Sequence, residues 1–60
     1  MEKTLTEYIS NVKTELTKTW RISHDRASRI TLANIDILRD SFCREKPSWD
    51  MAVELGFTDQ

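Results

Sequence analysis

Apolar residues fall along this chain in three groups, and the spacing inside each is helical. Leu5, Ile9, Val12 and Leu16 follow one another at steps of four, three and four, the spacing that lines one face of an α-helix. Tyr8 widens that stripe. Thr4 stands before it with Glu7 three residues on, as in a capping box, where a hydroxyl takes the third amide and a carboxylate reaches back. The pattern predicts a first helix over 5–19. Thr6, Thr14, Thr17 and Thr19 lose side-chain freedom in a helix, so this one depends on packing for its stability.

Trp20-Arg21-Ile22 reads as an elbow whose apolar side chains plug the corner. Ser23 is a hydroxyl N-cap, with Asp25 in the first turn to favour the helix dipole. A second helix is predicted over 24–44. With Ile30 at zero and about 100° per residue, Ala33, Asn34, Ile37 and Ser41 lie within about 60° of it. On the same count Leu38, Phe42 and Ile35 follow at about 80°, 120° and 140°, and Leu32 near 200°. Asp25, Arg29, Asp36, Arg39 and Asp40 hold the opposite arc, and Asp25–Arg29, Asp36–Arg39 and Asp40–Arg44 have ion-pair spacing.

That apolar arc is wider than the stripe of about 100° that one packed helix needs. The second helix is also longer than the first, about 31 Å against about 22 Å. Two things can cover the surplus: the C-terminal segment or a second copy of the chain. Lys46-Pro47 ends the second helix, because the residue before proline avoids the helical region. Ser48 can then cap a short third helix over 49–55, with Gly56 as a left-handed stop and Thr58-Asp59-Gln60 as a frayed tail. Trp49, Met51, Ala52, Val53 and Leu55 point nearly all round it, so it needs a groove to lie in, and Phe57 can close the contact. The fold expected is all-α: an antiparallel helical hairpin of 5–19 and 24–44 with a short third helix, in one small domain spanning 1–60.

Composition adds the reason to expect a partner. A chain of 60 residues buries only about 60% of the surface its unfolded form exposes. Small chains compensate with disulfides, metals or assembly. Cys43 is the only cysteine and His24 the only histidine, so an internal disulfide is excluded and a zinc site is not expected. No cofactor is implied. A homodimer is expected, with Ile35, Leu38, Phe42, Trp49, Met51 and Phe57 at the interface with it or with a protein target. Trp and Met are favoured interface anchors. The start Met1-Glu2-Lys3 has no apolar segment behind it, and no apolar run nears the length of a membrane span. The setting expected is therefore the cytoplasm, without membrane contact, where a lone thiol stays reduced.

Charge is uneven. Lys18, Arg21, Arg26 and Arg29 against Asp25 give +3 over 18–29, whereas six acids against three bases give −3 over 36–60. Four cations around Trp20 could hold phosphates and stack a base. Lys18, Trp20, Arg21, Arg26 and Arg29 are thus the candidate residues of an alternative, nucleic-acid-associated function, although the whole chain carries a net charge of −1. Met51-Ala52-Val53-Glu54-Leu55-Gly56-Phe57-Thr58-Asp59-Gln60 resembles the first helix and turn of the helix-turn-helix units in AraC-type regulators. The resemblance covers about ten residues and stops where a recognition helix would begin. It implies a turn after Gly56 and supports no DNA reading alone.

Catalytic groups are scarce. His24 has no nucleophile at motif spacing. Asp36 and Asp40, one turn apart, could share a proton, but they lie on a charged face beside Arg29, Arg39 and Arg44. Cys43 falls on the polar arc, a tolerated small residue or a thiol able to link two copies. The function expected is a small, non-enzymatic protein-interaction or regulatory module, of a size common among accessory proteins of phages and mobile elements.

Overall fold

The computed structural model describes residues 3–59. The expectation of a leaderless start at Met1-Glu2 and the Gln60 part of the expected frayed tail lie outside them, whereas Thr58 and Asp59 of that tail belong to a helix. Four helices pack against one another and the described residues form no strand: α1 (Leu5–Thr19), α2 (His24–Ala33), α3 (Ile35–Cys43) and α4 (Ser48–Asp59). Among these residues no helix is long and apolar enough to cross a membrane.

α1 forms over the expected residues. Thr4 is extended, and its hydroxyl accepts the Glu7 amide at 3.1 Å. Tyr8, Val12 and Leu16 are fully buried and Ile9 packs beside them. At the other end Arg21 turns the chain with φ 55°, and the Ile22 amide reaches back to the Leu16 carbonyl at 3.2 Å. That reversal turns Ile22 into the core. Ser23 then caps α2 by accepting the Arg26 amide at 3.2 Å.

The long second helix does not form as one element. It breaks at Asn34, whose backbone sits at φ −114°, ψ 27°. The Asn34 side-chain amide donates to the Ile30 carbonyl at 2.7 Å, and its backbone amide is shared between the carbonyls of Ile30 and Thr31. The Asn34 carbonyl accepts from Leu38 at 2.9 Å, so one residue closes α2 and opens α3. Asparagine does this because its short amide competes with the ladder for backbone partners.

The break resets the buried face. Ala27, Thr31, Leu38 and Ser41 are inside, whereas Ala33 is exposed and Ile37 is 52% exposed. The expected face was centred on Ile30 and Ile37 with Ala33, Asn34 and Ser41 beside them, and of these only Ser41 is buried. The actual one uses small residues where α2 meets α1, since these allow close approach. Thr31 is tolerated there because its hydroxyl donates to the Ser28 carbonyl at 3.0 Å.

α3 ends in a Schellman motif on a non-glycine residue. Glu45 has φ 60°, its amide donates to the Phe42 carbonyl at 3.1 Å, and the Lys46 amide donates to Ser41 at 2.9 Å. The Pro47 carbonyl then accepts from both Asp50 and Met51 at 3.2 Å, and α4 begins. Ser48 is therefore the first residue of α4 rather than the residue before it, and it is buried.

α4 also runs on past its expected end, through Gly56 to Asp59. Gly56 does not adopt the left-handed conformation, so neither the stop nor the turn implied by the AraC-like residues forms there. The Thr58 hydroxyl donates to the Glu54 carbonyl at 3.0 Å, inside the last turn. Gly56 serves close approach instead: a Cβ there would lie 2.2 Å from Trp20 Cε2 and 2.5 Å from Nε1. The absent side chain lets the Trp20 ring lie against the α4 backbone. α4 packs most extensively on α1 and contributes Met51, Ala52 and Leu55 to the core.

Candidate interaction surface

Twelve residues of α4 present two different faces. Ser48, Met51, Ala52, Leu55 and Gly56 turn inward and are buried. Trp49, Val53 and Phe57 follow at steps of four, which aligns them along the outside. Trp49 is 60% exposed and Phe57 70% exposed, with half-buried Val53 between them. The result is an apolar ridge with two aromatic ends and a lower middle. Trp20 backs one end: its ring meets Phe57 edge-on, with centroids 5.2 Å apart and planes at 70°. Asp50 and Glu54 lie along one flank, and Glu54 is paired with Lys46 from the α3–α4 connection.

The structure divides the other expected interface residues. Leu38 and Met51 are fully buried within one chain and belong to its core, not to a surface offered to a partner. The Met51 sulfur accepts the Ser41 hydroxyl at 3.2 Å. Leu38 was expected at an interface because a helix continuous through Asn34 puts it at the edge of the apolar arc, and Met51 because methionine is a favoured interface anchor. Phe42 is half-buried against Tyr8, with ring centroids 5.6 Å apart. Ile35 is half-buried in a shallow groove of about 280 Å³ shared with Ile9, Lys13, Ser28, Thr31 and Leu32. Leu32, 74% exposed, is the most open large apolar residue described.

The basic residues do not converge on an aromatic platform. Lys18, Arg21, Arg26 and Arg29 are exposed. Arg26 and Arg29 edge an open groove of about 710 Å³ between α2 and the end of α4, over Ile30, Ala33 and Leu55, with Asp25 beside them. Lys18 and Arg21 do not line it. Trp20 is committed to Gly56 and Phe57, and its indole nitrogen is buried with no hydrogen-bond partner among the described residues. Its ring is occupied by packing and is not offered to a base.

His24 is the exposed first residue of α2, and Cys43 is an exposed free thiol. Asp40 pairs with Arg44 at 3.1 Å, as their spacing predicted, with both side chains largely in water. Among the described residues no three His, Cys, Asp or Glu side chains gather as a metal site. The ridge itself was visible in the spacing of Trp49, Val53 and Phe57. It was missed because α4 was expected to stop at Gly56, which would have left Phe57 off the helix.

No family model matches the chain, and no curated protein or solved structure is significantly similar to it.

Proposed function

We propose that this chain is a small protein-interaction module that acts by binding, works as a homodimer and presents its remaining surface to another protein. The observation that carries the reading is the α4 ridge. Isolated exposed apolar side chains are ordinary on a protein surface. Two large aromatics aligned on one helix face, more than half in water and backed by a third, are the composition of an interface anchor. Burying them removes a large apolar surface from water. The reading includes a cytoplasmic setting, in which the exposed Cys43 thiol stays reduced.

The hairpin relation of α1 to the α2–α3 pair is part of the same reading. It is supported by Tyr8, early in α1, meeting Phe42, late in α3.

The test is the thermal midpoint as a function of protein concentration. A dimer that folds as it assembles melts higher when more concentrated. A midpoint independent of concentration, with a monomer's mass in solution, removes the homodimer from the reading. Binding to nucleic acid through Lys18, Arg21, Arg26 and Arg29 is the competing reading. It predicts a mobility shift that weakens steeply with salt and that Arg21→Ala with Arg26→Ala abolishes.

A further inference from the structure

We infer that the groove between α2 and the end of α4 is where the protein partner docks, and that it takes an acidic segment of that partner with apolar side chains seated in the groove. The inference rests on the binding to another protein proposed above and adds its place and chemistry. The α4 ridge protrudes, whereas this groove is concave, about 710 Å³, within the range of about 300–1,000 Å³ typical of binding clefts. Its floor is apolar, with Ile30 and Ala33 on the α2 side and Leu55 on the α4 side. Asn34 and Thr58 add only neutral polar groups.

Charge selects the occupant. Asp25, Arg29 and Ala33 follow one another at steps of four, and so do Arg26, Ile30 and Asn34, which makes two adjacent rows along α2. The rows carry two guanidinium groups against one carboxylate, and α4 brings no charge to the lining. Asp25 does not neutralise Arg29. They stand one turn apart, yet among the described residues Arg29 forms no ion pair. Residues 18–29 around this end of the molecule sum to +3, so the wider field draws the same sign of partner. Guanidinium groups at the rim of an apolar floor can hold carboxylates while neighbouring apolar side chains leave water. A nucleic acid would find phosphate contacts here but no aromatic face, because Trp20 is packed on Gly56 and Phe57. A second copy could bring acids only head-to-tail, since about a two-fold axis the groove meets itself. Head-to-tail contacts build rings or filaments, not the proposed dimer.

The test begins with a displayed library of random peptides about 12 residues long, about 18 Å if helical, selected on the full natural chain. Enriched peptides are synthesised, and their affinity is measured by fluorescence anisotropy for the natural chain and three variants whose helicity is checked by circular dichroism. Arg29→Glu reverses the charge, Ala33→Gln fills the floor without adding charge, and Trp49→Ala with Phe57→Ala removes the ridge. The expected peptides combine Asp or Glu with large apolar residues. Arg29→Glu should weaken them about tenfold or more, as like charges brought together do. Ala33→Gln should weaken them too, and the ridge variant should bind them unchanged. Enriched peptides that are basic or uncharged overturn the proposal. Peptides that the ridge variant loses and the groove variants keep also overturn it, while leaving the binding module standing. So does a DNA or RNA oligonucleotide that binds more tightly than the peptides and is lost with Arg29→Glu, or a natural chain whose open-ended oligomers Arg29→Glu disperses. A library from which nothing is enriched overturns both the groove and the binding to another protein on which it rests.

Discussion

Gly56 and Trp20 form a pair in which the absent side chain matters as much as the one present. In an open helix, replacing glycine by alanine stabilises by about 1 kcal/mol. Here the added methyl carbon would stand 2.2 Å from the indole, and displacing a packed ring costs about 1–3 kcal/mol. Gly56→Ala should therefore destabilise the chain, by about 1–2 kcal/mol in urea unfolding, with Trp20 fluorescence shifting toward that of exposed indole. A more stable Gly56→Ala variant would show that the ring does not depend on that contact. Glu45 is the opposite case: it holds a left-handed conformation, φ 60°, that glycine adopts without strain. Glu45→Gly should raise stability by about 0.5–1 kcal/mol by the same measurement, and a loss would mean that the Glu45 side chain stabilises more than its backbone strain costs.

Among the elements, α1 was fully legible in the sequence and the central segment was not. Thr4, Glu7 and the 5-9-12-16 spacing give a cap, a face and a length, and the structure has all three. The central segment failed at one residue. Helical periodicity has no signal for a break made by a single asparagine whose side chain bonds backward to Ile30, and a phase carried across it misplaces everything beyond. Ile37 was read as the middle of the apolar arc and is 52% exposed, and Leu38 was read as interface and is fully buried. Substitution separates the two placements. Leu38→Ala should cost about 2–5 kcal/mol, whereas Ile37→Ala should change stability by less than about 0.5 kcal/mol. Equal costs would contradict the broken helix. Gly56 misled for a related reason: a glycine near a helix end is read as a stop, and only the neighbouring Trp20 reveals a packing site. Moving that stop to Asp59 carries Phe57 onto the helix and completes the ridge.

Across the whole molecule, the original case for a partner came from surplus apolar surface on the second helix. The structure meets part of that surplus internally, with Leu38 buried and Phe42 and Ile35 half-covered. The largest aromatic surface left open has moved to α4, with Trp49 and Phe57. A ridge of this length supports a small interface, below about 1,200 Å² in total, a class typical of weak and transient complexes. Assembly should thus depend on concentration across about the micromolar to millimolar range. The most direct measurement is sedimentation equilibrium over that range on the natural chain and on a variant carrying Trp49→Ala and Phe57→Ala. The account predicts a monomer–dimer equilibrium for the natural chain. It predicts dimerisation at least tenfold weaker for the variant, since anchor residues of this kind contribute about 2 kcal/mol or more each, with helicity unchanged. A natural chain that stays monomeric at every concentration, or a variant that dimerises as tightly, would contradict it.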